Sequence, residues 1–299
     1  MKERLPTYGG QAVIEGVVMR GTRHIAMAMR APDGSIKLYQ EELGGIFKNN
    51  WMKLPFLRGL IGLWDALIIG IRFLTISANT QTGENEKIEG LPLYATLAFS
   101  LTVGIGLFFL LPAGVGQLAE TYLHWNAFWG NALEGILRLG LLIGYIWIIG
   151  FMPDIKRVFQ YHGAEHKTIN AFEARAELTP ENVAKYSLEH PRCGTSFLLT
   201  LVVISIIVFA LLGPLPIWAR FASRIIFLPL LASVSYEYIR LVAYNIEKPF
   251  FRFIIKPNLA LQKLTTRVPS LDQLEVAITS FNAMYLKETA QTTGTDQGK

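Results

Sequence analysis

At 299 residues, with 51% hydrophobic and only 17% charged residues, the chain is more apolar than an ordinary soluble domain, and the first expectation is a membrane protein. Its formal net charge of +5 comes without an Arg/Lys run interleaved with aromatics, so it reads as the basic loops of a membrane protein and not as a nucleic-acid readout motif. The single cysteine, Cys193, excludes an intrachain disulfide.

The opening MKERLPTYGG carries charges but no apolar stretch behind them, so no cleavable signal peptide is expected, and insertion would use an internal segment. Residues 1–50 are expected to form a small cytoplasmic β element. Within it, 23–30 and 35–41 alternate in part, and Pro32, Asp33 and Gly34 supply turn chemistry for a hairpin. Residues 51–80 follow as an amphipathic helix. Arg58, Asp65 and Arg72 recur every seven residues and form one stripe among Leu, Ile, Trp and Phe, a pattern expected of a helix lying in the interface or partly inserted.

Residues 91–119 contain no charge, and at about 1.5 Å per residue they can cross a hydrocarbon core of about 30 Å. The next apolar run, 139–153, is short. It becomes long enough through Glu134 and Arg138, whose i,i+4 spacing lets the two charges neutralise each other on one face. A third uncharged run covers 193–219, and a fourth, interrupted by Pro229, covers about 217–243. Four crossings put both termini on one side. The segment 154–192 holds six Lys or Arg (156, 157, 167, 175, 185 and 192), whereas 112–131 holds none, so the first is expected to be cytoplasmic. Arg220 and Arg224, at the outer end of the last hairpin, run against this rule. The C-terminal segment 244–299 is expected to be cytoplasmic, with a short helix over 270–286 and a disordered tail over 288–299. The expected fold is therefore mainly α: two transmembrane hairpins, 91–153 and 193–243, with an interfacial helix and an N-terminal β element.

One constellation carries chemistry. His162, Glu165 and His166 form an H-x-x-E-H pattern in the cytoplasmic segment. On a helix the two histidines lie one turn apart and can offer two nitrogens to one cation, while Glu165 sits close enough to act as a base on a metal-activated water. A third ligand must come from elsewhere, and His190 and Cys193 in HPRCGTSF and Glu237 in SYEYIR are the candidates on the expected side. The bland readings are histidines hydrogen-bonded at a helix end, Cys193 as a buried thiol, and Glu237 paired with Arg240.

Five separated segments, YGGQAVIEGVVMR from Tyr8, PFLRG from Pro55, YHGAEHKT from Tyr161, HPRCGTSF from His190 and SYE from Ser235, together resemble the DUF1385 family of YqhQ-like bacterial membrane proteins. The resemblance covers roughly 7–245. It implies a multispanning protein of the bacterial inner membrane, described only as a predicted metal-dependent enzyme, and it adds Gln11 and Glu15 to the residues of interest. Two functions follow. One is a membrane-embedded hydrolase in which zinc is held by His162 and His166 with Cys193, His190 or Glu237, Glu165 is the catalytic base, and the substrate is a peptide or lipid-derived molecule. The other is a noncatalytic scaffold in which the same cluster, closed around zinc or hydrogen-bonded, docks a membrane or cytoplasmic partner or a second copy.

Overall fold

The computed structural model describes residues 8–44, 54–82, 87 and 89–295. Four antiparallel strands, β1 (Gly9–Val13), β2 (Gly16–Arg20), β3 (His24–Arg30) and β4 (Ile36–Glu42), form a meander in sequence order. The expected hairpin is β3–β4, closed by Gly34 at φ 83° and by Asp33, which accepts from the Ser35 amide at 2.9 Å. The flanks 1–7 and 45–50 lie outside the described residues.

Strands β1 and β2 were not anticipated, because the centre of this sheet is covered on both faces. Val17, Met19, Ala26 and Ala28 face a core shared with Tyr161, Ala164 and Phe281, while Val18, Ile25, Met27 and Met29 face Phe73 on the other side. A strand buried on both faces loses the apolar–polar alternation that marks a half-exposed one.

Helix α1 (Leu57–Thr82) lies against the second face of the sheet through Phe73, Ile69 and Ile76. Its stripe of charges is fully engaged with protein: Arg58 with Glu237 at 2.5 Å, Asp65 with Arg20 at 2.6 Å, and Arg72 with Glu41. The opposite face leaves Trp64, Leu67 and Ile68 exposed.

Next come α2 (Leu91–Ile105), a π-helical turn at Gly106–Leu110, and α3 (Leu111–Tyr122), which run on as one apolar segment; α4 (Ala127–Ile149) returns beside α3. Among the described residues, three helices are long and apolar enough to cross a membrane, at Leu57–Thr82, Leu91–Tyr122 and Ala127–Ile149. The run expected over 193–219 is only the 17-residue α7 (Thr195–Leu211), ended by the Gly213–Pro216 stretch. The fourth expected span is broken into α8 (Ile217–Ile226) and α9 (Leu228–Tyr244), which meet at 44° where Pro229 cannot continue the hydrogen-bond ladder; together they qualify as one more apolar segment. A total of up to four thus holds, with α1 among its members and α7 not.

Between these lie α5 (Pro153–Glu173) and the single turn α6 (Pro180–Val183); α10 (Pro249–Ile254), α11 (Lys256–Thr265) and α12 (Leu271–Thr295) follow α9. The helix expected over 270–286 is α12, but it continues through most of the stretch expected to be disordered. The Glu288 carboxylate accepts from the backbone amides of Thr22, Arg23 and His24 at 3.0–3.2 Å, capping the β2–β3 turn from 264 to 266 residues away. Composition alone gave that tail no partner, and this long-range cap supplies one. Residues 296–299 lie outside the described residues.

Candidate metal centre

Helix α5 begins at Pro153, whose missing amide is no loss in a first helical turn, with Asp154 favourably placed against the helix dipole. Its second half buries Tyr161, Ala164, Glu165 and His166 between the sheet, α12 and the segment 184–190. Gly163 faces the α11–α12 link so closely that a Cβ there would lie 2.2 Å from the Arg267 carbonyl oxygen. A glycine between the two histidines is therefore a packing requirement.

His162 and His166 stand one turn apart, with ring centroids at 4.4 Å. Each ring is fixed through Nδ1: His162 against the Thr265 carbonyl at 2.9 Å and His166 against the Leu188 carbonyl at 2.5 Å. A carbonyl only accepts, so both Nδ1 atoms carry a proton, and in the neutral form of each ring Nε2 presents the lone pair. His162 Nε2 meets Cys193 Sγ at 3.2 Å, and His166 Nε2 is buried without a hydrogen-bond partner. The sulfur is held in turn by the Thr195 amide at 3.4 Å and hydroxyl at 3.1 Å.

The three donors lie within 4.8 Å of one another. A tetrahedral zinc ion holds its ligand atoms about 3.4–3.8 Å apart, given bonds of about 2.1–2.3 Å. The His162–Cys193 edge is nearly at that spacing already. Backbone carbonyls on the Nδ1–H groups are the usual outer partners of metal-bound histidine, and two nitrogens with one sulfur suit zinc. The residues present fit the ion, which His162, His166 and Cys193 would hold with three of the four ligands of a tetrahedral site.

Glu165 is 5% exposed and lies against β1, where a Cβ on Gly10 would come within 2.9 Å of its side chain. Burial pushes its carboxyl up to about 7, against the opposing pull of His162 and of the Gly10 backbone. Oε2 has no hydrogen-bond partner.

The other candidates fall in different places. The His190 ring lies 5.7 Å from that of His166, but its Nε2 faces Glu173 at 3.7 Å and it does not join the three donors. Burial holds its pKa below the ordinary value despite that carboxylate. Glu237 is corrected as a ligand. It sits on α9 and forks onto Arg58 at 2.5 and 2.7 Å while accepting from the Phe56 amide, because its helix packs on α1 and not on α5. Its partner is thus Arg58 and not Arg240. Gln11 packs against α1 at Gly70, and Glu15 pairs with Arg157 and accepts from Tyr161 Oη at 3.2 Å. Both fasten the sheet and neither reaches the histidines.

Sequence reasoning missed the supports of the site. Gln262 of α11 accepts from the His190 amide at 2.9 Å and donates to the His190 carbonyl at 2.9 Å and to Ser196 Oγ at 3.0 Å, clamping the segment that delivers Cys193. Thr265 and Leu188 act through backbone carbonyls, which carry no residue signal. A surface pocket of about 430 Å³, lined by Lys167, Tyr186, Ser187, Leu188, Glu189, Lys263 and Thr266, backs onto these supports.

Apolar helices of spanning length, a small meander sheet and a buried His/His/Cys group define a helical protein of membrane-like composition with one candidate metal centre. The chain belongs to the family described as "Protein of unknown function (DUF1385)", which matches residues 54–287. It is 37% identical over 298 residues, 95% of this chain and 93% of the relative, to the "Uncharacterized protein YqhQ" of Bacillus subtilis (strain 168). No solved structure matches.

Proposed function

We propose that the chain is a metal-dependent hydrolase of the bacterial inner membrane, acting on a peptide or lipid-derived substrate at the cytoplasmic face. The observation that carries this reading is the unpartnered, buried Oε2 of Glu165 on the same helix as two histidines whose Nε2 lone pairs converge with Cys193. Zinc at that corner would supply Lewis acidity and acidify a water. The chain's own part is to take a proton on Glu165, near the pH at which that group exchanges it, and to keep the His162 and His166 tautomers fixed through the Thr265 and Leu188 carbonyls.

Placement in the membrane is part of the proposal. The polar sheet pairs with Asp65 and Arg72 of α1 and belongs in water, which supports α1 lying along the bilayer surface on its Trp64–Leu67–Ile68 face. With α1 on the surface, the shorter α7 must cross together with the α8–α9 pair as a returning hairpin, so that the basic segment 154–192 faces the cytoplasm together with both termini.

One observation favours a second reading. His190 Nε2, buried and without a hydrogen-bond partner, is near enough that its segment could close a four-ligand structural site, making the protein a scaffold. Elemental analysis of purified protein with Glu165→Gln separates the two. The hydrolase reading expects one transition metal per chain, kept in the variant, with hydrolysis of added peptide or lipid-ester substrates lost by about 100-fold or more. Metal retained with the cellular role intact in Glu165→Gln identifies the scaffold. Protein free of stoichiometric metal ends both.

A further inference from the structure

A second polar cluster lies at the opposite end of α4 from the link that leads into α5. Charges within apolar helices are costly and mark function when they are not simply paired. Helices α2, α3, α4, α7 and α8 and the π-turn contain five acidic or basic side chains in all: Glu120, Glu134, Arg138, Arg220 and Arg224. All three guanidinium groups are 1% exposed or less, and three positive charges face two negative ones.

Two of the arginines are satisfied. Glu134 accepts from Arg138 Nη2 at 2.6 Å and takes the fork of Arg224 at 2.5 and 2.8 Å. Arg138 also reaches Ser205 Oγ and, through Nε, the Phe108 carbonyl at 2.9 Å. That carbonyl is free because Pro112, four residues on, has no amide to give it. Arg224 completes its set on Asn131 Oδ1 and Ser223 Oγ.

Arg220 is not satisfied. Nη2 reaches Glu120 and, at 3.4 Å, Asn131 Oδ1, but Nε and Nη1 are buried with no acceptor. The neighbouring Asn131 Nδ2 also lacks an acceptor, and Gln117 Oε1, three residues before Glu120 on α3, lacks a donor. Three donor nitrogens without acceptors and one surplus positive charge thus lie on α4 and α8, and one acceptor without a donor lies a helical turn from Glu120 on α3. Orphaned buried donors and an uncompensated buried charge are both costly, so a partner that meets them is strongly favoured.

We propose that this cluster binds a monoanionic phosphoryl group, supplied by an anionic phospholipid headgroup or by free phosphate. Nε and Nη1 lie on different edges of the guanidinium, and Asn131 is on another helix, so the ligand must offer several acceptor oxygens. Gln117 asks it for a hydroxyl as well. Chloride offers a single acceptor centre and no hydroxyl; dihydrogen phosphate, or a phosphodiester headgroup that also carries a hydroxyl, offers both. The depth fits a headgroup. Arg220 and Asn131 lie about 4.5–6 Å inside the starts of α8 and α4, and exposed Trp125, Trp129 and Trp218 mark the same end as an interfacial belt. Entry requires α8 to part from α3 and α4, which its Gly213–Pro216 lead and the 44° bend at Phe227 permit.

The test is thermal unfolding of the full chain in neutral detergent. One arm titrates inorganic phosphate against chloride at constant ionic strength, and the other adds phosphatidylglycerol against phosphatidylcholine. A saturable rise in Tm with phosphate or phosphatidylglycerol is expected. A response to phosphatidylglycerol alone assigns the source to lipid, and a response to both admits free phosphate. Asn131→Asp removes an orphan donor and supplies the missing negative charge, so it should melt no lower than the parent protein and no longer respond. Gln117→Leu touches no ion pair and should weaken phosphate or lipid affinity about tenfold. Absence of a saturable shift in both arms, an equal shift from chloride, an Asn131→Asp protein that responds like the parent, or unchanged affinity in Gln117→Leu would overturn the proposal. Metal content plays no part in these readouts, so failure here leaves the hydrolase reading standing.

Discussion

The Nε2 of His162 lies 3.2 Å from Cys193 Sγ, a contact made across 31 residues of intervening chain. Because His162 Nδ1 is committed to Thr265, the pair is either a hydrogen bond between imidazole and thiol or two donors sharing a cation. Substituting cobalt for zinc separates these cases. A thiolate-to-cobalt charge-transfer band in the near ultraviolet is expected, and Cys193→Ser should abolish it with a loss of metal affinity of at least about 100-fold. Spectra that are the same in both proteins would remove Cys193 from the ligand set.

Gln262 should act on the same centre from a distance. It fixes the His190 backbone on both sides and touches Ser196, three residues past Cys193. Gln262→Leu should lower metal affinity about 10–100-fold while leaving stoichiometry at saturation unchanged, as outer partners of metal ligands do. A metal titration followed by competition with a chromophoric chelator reads this directly.

Gly163→Ala should destabilise the protein by about 1–3 kcal/mol, since the added methyl lands on the Arg267 backbone and not on a movable side chain. Gly140→Ala, where nothing lies near the added atom, is the control and should be neutral or better. Denaturant midpoints that coincide for the two variants would contradict this packing.

Glu237→Gln should leave metal content at the level of the parent protein and lower stability by about 1.5–3 kcal/mol, because it breaks the fork onto Arg58 that ties α9 to α1. Loss of metal with unchanged stability would restore Glu237 as a ligand.

Glu15 sets the acid limit of the sheet's attachment. Its hydrogen bond to Arg157 holds the carboxyl below the usual value, against the opposing effect of partial burial. A depressed folded-state pKa contributes stability that is present above about pH 4.5 and is lost as pH falls through the folded value. Glu15→Gln should therefore be less stable at neutral pH, and its melting temperature should fall less steeply on acidification. Parallel curves from pH 3 to 6 would show that Glu15 is not involved. The residue also holds a left-handed backbone at φ 54°, where Glu15→Gly relieves strain but gives up the ion pair.

Local and short-range features were legible in the residues themselves. Uncharged runs gave α2 and α3; the i,i+4 spacing of Glu134 and Arg138 gave their 2.6 Å contact within α4; turn residues gave the β3–β4 hairpin; and the H-x-x-E-H spacing gave two imidazoles on one helical face. Each depends only on the helix or strand period, which the sequence carries explicitly.

What only the tertiary structure decided is everything that needs a partner far along the chain. Cys193, and not Glu237 or His190, joins the histidines; Glu288 caps the turn at residues 22–24; and Arg220 and Arg224 run against the loop-charge rule because they are buried on Glu120 and Glu134. Such pairings follow from which helix packs on which. That choice is a sum of many small apolar contacts, individually about 0.1–0.2 kcal/mol, and no single residue announces it.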